Sequence, residues 1–342
     1  TTQAVYEFTF EDVQTSVELS KADLTDGKEL PGASLQVLDS NGTVVEEWIS
    51  TDEPHLIRGL LVGETYTMVE TKPADGYTTA ESIEFKVEDT AEVQKHQMLD
   101  DVTKVEISKT DVTDSKEVPG AKLTILDKDG KVVESWVSKK DPHMVEKLPV
   151  GTYTLREEQA PDGYLVAEEV SFEVKDTGEI QKVEMKDARP VGKLVLKKTD
   201  AEDGSPLAGA EFELRIKKSG KVVATLVTDE EGVATSGDIP IASYKDGKMK
   251  KEIEYILVET KAPDGYVRSE KEESVIFAYE DGNTKEIEIT KELTNERIPT
   301  GGYSNSPKTE DDTNIWLPFF LLLLSVGGIA GIIWYTKRKN HD

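Results

Sequence analysis

The sequence predicts an all-β chain of tandem β-sandwich domains followed by one C-terminal transmembrane helix. Three observations lead there. Apolar and polar residues alternate over most of the chain, Val and Thr are abundant, and Pro-Gly and Asp-Gly turns recur. A long pattern occurs three times, opening at VELSKAD (Val17–Asp23), VEISKTD (Val105–Asp111) and LVLKKTD (Leu194–Asp200). One apolar, uncharged run, residues 315–336, is long enough to cross a bilayer.

The repeats set the domains. After each opening strand come a turn and a second strand, LPGASLQVLD, VPGAKLTILD and LAGAEFELRI. A tyrosine strand and its loop follow, YTMVETKPADGY, YTLREEQAPDGY and YILVETKAPDGY, and then a closing strand. Lys21 and Lys109 are 88 residues apart, and Lys109 and Lys198 are 89 apart, which is domain duplication rather than a short solenoid. The expected domains are residues 15–102, 103–190 and 191–298. Residues 1–14 read as the last strand of a preceding repeat, because Asp12 stands five residues before Val17, as Asp100 does before Val105. The chain opens on Thr1 without a leader and reads as the C-terminal piece of a longer protein. The third repeat carries extra residues near Gly237–Lys251, a polar loop or hairpin.

DSNG and DKDG sit between strand-like runs and read as hairpin turns. Asp127-Lys-Asp-Gly lacks the other ligands and closing Glu of a calcium loop, so the turn is the better reading. His55 and His143 occupy matching positions without metal-ligand spacing, and Trp48 and Trp136 read as core or half-buried packing. No metal, cofactor or external-substrate chemistry is expected. The net charge of −27 opposes binding to nucleic acid. The chain has no cysteine, so no disulfide can stabilise it.

Alternation places charge in the core. Alternate residues of a strand share a face. In the opening strands, Lys21 continues the row of Val17 and Leu19, Lys109 that of Val105 and Ile107, and Lys198 that of Leu194 and Leu196. In the tyrosine strands, Glu70, Glu157 and Glu259 follow Tyr66, Tyr153 and Tyr255 on the inward phase. In the closing strands, Asp100, Asp187 and Asn295 share a face with Met98, Met185 and Leu293. Burial disfavours the charged forms, so the amine loses its proton and the acid gains one. A neutral amine can then attack the carboxyl or amide carbon while the Glu relays protons, closing an amide with loss of water or ammonia. A buried ion pair, or heads that reach solvent, is the alternative; three repetitions of the same triplet favour the crosslink.

These residues carry a resemblance. Residues 17–297 resemble the SpaA-like, Cna B-type domains of Gram-positive pilins and adhesins, through the Lys-x-Asp strand, the YTLxExxAPxGY-like segment and the closing Asp or Asn strand. The resemblance implies a Greek-key sandwich of prealbumin/Ig-like type and an intramolecular isopeptide bond in each domain. The family's usual acceptor is Asn, which only Asn295 matches. A bond from first to last strand would make each domain a loop that tension cannot unravel, and the short linkers imply closely stacked domains.

The C-terminal tail resembles a sortase sorting signal. Ser306, Pro307, Lys308, Thr309 and Glu310 stand where Leu-Pro-x-Thr-Gly is usual, within a linker spanning 299–314. The apolar span and a basic tail, 337–342, follow, and the positive charge puts the body outside the cell. The implied partners are a sortase, peptidoglycan or a pilin subunit, and the membrane. A host protein or glycan is a further candidate partner, with the Gly237–Lys251 insertion as the place to bind it. The expected function is a surface stalk rather than an enzyme. The alternatives are a ligand-binding adhesin module and a spacer for an upstream enzyme domain.

Overall fold

The computed structural model describes residues 13–299. Among these residues there is no helix. The first sandwich comprises β1 (Ser16–Asp23), β2 (Ser34–Leu38), β3 (Val44–Ile49), β4 (His55–Arg58), β5 (Thr65–Lys72), β6 (Ile83–Lys86) and β7 (Val93–Asp100). One sheet runs β4-β1-β7 and the other β3-β2-β5-β6. The second repeats this order with β8 (Lys104–Asp111), β9 (Lys122–Leu126), β10 (Val132–Val137), β11 (His143–Glu146), β12 (Gly151–Gln159), β13 (Val170–Val174) and β14 (Ile180–Asp187).

The third has more strands. It contains β15 (Val191–Asp200), β16 (Glu211–Ile216), β17 (Val222–Val227), β18 (Val233–Thr235), β19 (Ile239–Pro240), β20 (Ala242–Lys245), β21 (Lys248–Glu252), β22 (Glu254–Lys261), β23 (Glu273–Ile276) and β24 (Glu286–Asn295). The inserted residues form a separate β20-β21 hairpin.

The turns follow from local chemistry. Asp39 Oδ1 accepts the N–H groups of Asn41 and Thr43 at 2.9 and 2.8 Å, and Gly42 takes the left-handed conformation that closes the β2-β3 hairpin. Asp127 does the same at the next hairpin, so its carboxylate is occupied by backbone. Among the described residues no group of side chains could hold a metal ion.

The cores lie between the sheets. In the first, Val17, Leu19, Leu35, Val37, Met68, Phe85 and Met98 are buried. Each such side chain contributes about 1.5–3 kcal/mol. Trp48 and Trp136 are half-buried and stack on His55 and His143 at 4.4 and 4.3 Å between ring centroids. Those histidines also meet Glu46 and Glu134, so the matched His positions tie β3 to β4 and β10 to β11.

The opening and closing strands of each sandwich pair in parallel. β1 lies beside β7, β8 beside β14 and β15 beside β24, with Asp23 opposite Asp100, Asp111 opposite Asp187 and Asp200 opposite Asn295. This pairing brings together residues almost a whole domain apart in sequence.

Candidate functional site

Each sandwich buries one charged triplet. Lys21, Lys109 and Lys198 are 2%, 1% and 1% exposed, and their Glu and Asp or Asn partners are buried with them. In the first domain, Lys21 Nζ meets Asp100 Oδ1 and lies 3.1 Å from Glu70 Oε1. In the second, Lys109 Nζ meets Asp187 Oδ1 and lies 3.1 Å from Glu157 Oε2. The parallel register sets Lys21 opposite Met98 and Lys109 opposite Met185, so each amine reaches diagonally toward the strand end to touch its acid.

The third triplet is gathered differently. Glu259 lies 3.5 Å from Lys198 Nζ, so the longer insertion has not displaced it. Lys198 Nζ, however, donates to the Thr294 carbonyl at 2.8 Å. Asn295 Nδ2 donates to Glu259 Oε2 at 3.0 Å and to the Val267 carbonyl at 2.6 Å. A cleft of about 480 Å³ borders this triplet, lined in part by Lys198, Phe212, Glu259 and Ser269.

One four-residue stretch organises each site, and its role was not read from the sequence. In Tyr77–Ala80, the Tyr77 hydroxyl donates to Asp23 Oδ2 at 2.7 Å. Thr78 N–H donates to the Asp101 carbonyl just past the acceptor, and Ala80 N–H donates to Glu70 Oε2 at 2.7 Å. Tyr164–Ala167 and Tyr266–Ser269 make the equivalent bonds to Asp111 and Glu157, and to Asp200 and Glu259. The loop after the tyrosine strand therefore holds the opening strand, the closing strand and the Glu together. The recurring Asp-Gly-Tyr was the available signal.

Burial governs the electrostatics. Desolvation pushes the Asp100 and Asp187 carboxyls up to about 7; the nearby Glu adds to this and the Lys opposes it. Burial draws Lys198 down, against the pull of Glu259. Asp100 Oδ2, Asp187 Oδ2 and Asn295 Oδ1 have no hydrogen-bond partner. Such an atom costs about 1–3 kcal/mol when buried. An amine, a protonable acid and a carboxylate held between them can exchange protons without solvent and bring nitrogen to carbonyl carbon.

The fold and these triplets define a class, tandem all-β sandwiches with a polar triplet joining first and last strands. The sequence matches the SpaA prealbumin-like fold domain family over residues 15–101, 103–189 and 192–293, and the chain belongs to that family. None of the curated proteins matches it. Among solved structures it is similar to the Bacillus anthracis TIE protein, at 27% identity and a TM-score of 0.55 over 84% of this chain and 52% of that one. The chain thus spans about half the length of that protein. It is also similar to BcpA, the major pilin subunit of Bacillus cereus, at 19% identity and a TM-score of 0.48 over 83% of this chain and 100% of that one.

Residues 1–12 and 300–342 lie outside the described residues. They include the expected preceding strand, the Ser306–Glu310 motif, the apolar span and the basic tail.

Proposed function

We propose that this chain is a structural, pilin-like stalk displayed on a Gram-positive cell surface, with each sandwich closed by its own amide crosslink. The expected bonds join Lys21 to Asp100, Lys109 to Asp187 and Lys198 to Asn295, with Glu70, Glu157 and Glu259 as proton relays. The observation that carries this reading is the solvent-excluded triplet of Lys, Glu and Asp or Asn, with the Lys and the acceptor on paired first and last strands, repeated in every described domain.

The neutral Lys amine adds to the acceptor carbon. The nitrogen gives up a proton through the Glu, the C–O bond of Asp or C–N bond of Asn breaks, and water or ammonia leaves. No external reagent enters, and each site reacts once. The bond removes the buried lysine charge, and in the first two domains a buried acid as well, and supplies the covalent closure that a chain without cysteine cannot obtain from disulfides.

The domain division is 15–102, 103–190 and 191–298. The linker 299–314 carries the sorting motif, 315–336 crosses the membrane and 337–342 stays inside. A sortase joins the chain to peptidoglycan or a pilin subunit after Thr309. Intact mass tests the crosslinks. The chain should fall short of its sequence mass by two waters and one ammonia, and peptide spectra should place the three junctions. An unmodified mass in folded protein would refute the chemistry.

A further inference from the structure

Each domain has a second polar cluster, built on a buried aspartate two residues beyond the lysine of the triplet. Asp111 follows Lys109 by two positions and Arg189 follows Asp187 by two. Asp111 Oδ2 accepts Arg189 Nε at 2.7 Å and Nη2 at 2.6 Å, together with the Tyr164 hydroxyl. In the third domain Asp200 Oδ2 accepts Arg297 Nε at 2.6 Å and the Tyr266 hydroxyl. These pairs fasten the ends of the opening and closing strands just past the lysine and its acceptor.

The first domain lacks this cation. Its position is filled by Val102, which bridges Tyr77 as Arg297 bridges Tyr266. The cation comes instead from the second domain. Lys147 Nζ lies 3.1 Å from Asp23 Oδ2, 2.5 Å from the Tyr77 hydroxyl and 4.7 Å from the Tyr77 ring centroid. Burial opposes ionisation of Asp23, but Tyr77, the Thr25 N–H and Lys147 together hold its carboxyl well below the usual range.

Two independent features show that this contact is built. Lys147 has φ +61°, in the left-handed region that favours glycine, and its counterpart in the first domain is Gly59. Gly76 of the first domain lies against it, and a Cβ there would stand 2.4 Å from the Lys147 carbonyl oxygen. Lys147 N–H and the Leu148 carbonyl are both tied to Thr103 in the linker.

We infer that the Asp–Tyr–cation clamp positions the acceptor strand for crosslinking, and that the first domain borrows its clamp from the second through Lys147. This rests on the proposed amide chemistry. The second and third domains each supply their own cation, whereas the Lys21–Asp100 bond closes efficiently only when the second domain has folded beside the first. The crosslinks then form in an order set by the joint rather than simply by the order of synthesis.

The test uses the whole chain, made by cell-free synthesis, stopped in acid at intervals and digested so that each junction is followed by mass. Lys147→Gly removes the cation and relieves the left-handed backbone, so the second domain keeps its fold. It should slow the Lys21–Asp100 bond at least about tenfold, since small misplacements of reacting atoms cost that much or more. The Lys109–Asp187 bond, in the domain that carries the substitution, should form at the parent rate. Adding Val102→Arg should restore the first bond by supplying the clamp in its own domain, and Lys147→Arg should preserve it. An unchanged Lys21–Asp100 rate in Lys147→Gly, or slowing confined to the second domain, would overturn the inference. So would failure of Val102→Arg to restore the bond in folded protein. Absence of every crosslink in the parent chain would instead sink the proposed function.

Discussion

Replacing Glu157 by Gln isolates the contribution of one crosslink. The side chain keeps its shape, and its remaining carbonyl oxygen can still accept the Ala167 N–H now bonded to Glu157 at 2.6 Å. It can no longer take a proton from Lys109, 3.1 Å away. Under the proposed chemistry the second domain stays folded but open, and the chain regains the mass of one water. Lys109 and Asp187 are 78 positions apart, and releasing a closed loop of that size from the unfolded chain costs about 4.5 kcal/mol at 25 °C. For a domain of this length that corresponds to a melting point lower by about 20–35 °C. Calorimetry on the parent and Glu157→Gln chains, with intact mass on the same samples, reads both effects. A bond formed at the parent rate in Glu157→Gln would refute the role of the glutamate. An open second domain melting at the parent temperature would refute the mechanical reading.

Crosslinking of the first two domains should depend on pH. The reactive set, an amine facing a protonated acid, loses a proton as pH rises through the value near 7 at which Asp100 and Asp187 titrate, so their rates should fall above it. The third domain, with an amide acceptor, should lack that limb, which junction-resolved rates would reveal. Asp187→Asn should still crosslink but with loss of ammonia, read as a change in the mass deficit. The third bond should form last, because Lys198 donates to the Thr294 carbonyl instead of meeting the Asn295 side chain. Equal rates at all three junctions would count against that reading. Tyr244→Ala should loosen the joint between the second and third domains, seen as faster hydrogen exchange across the 188–190 linker and the start of β15. It removes a 2.5 Å hydrogen bond to the Gly163 carbonyl and the ring 4.0 Å beneath Arg189.

The insertion in the third domain shows what the sequence left open. Gly237–Lys251 reads as a polar loop or hairpin, and the structure makes it the β20-β21 hairpin. That hairpin packs on the second domain. Tyr244 stacks edge-on against Tyr164, and Met249 and Gly247 approach Gly163 and Glu117. Its lysines face solvent while Tyr244, Gly247 and Met249 make the contact. A composition average over the loop could not separate those two faces.

The sequence by itself determined the all-β class, the threefold duplication and the inward phase of Lys21, Glu70, Asp100 and their counterparts. Strand periodicity is a local property, and a charge on the apolar phase is visible without knowing what lies opposite. Only the tertiary structure decided that first and last strands pair in parallel, so that residues 78 or more positions apart share one buried site. It alone showed the loop from Tyr77 to Ala80 holding three strands, and Lys147 crossing a domain boundary to Asp23. Those contacts depend on which surfaces meet after folding, and no periodicity within a strand records its distant neighbours.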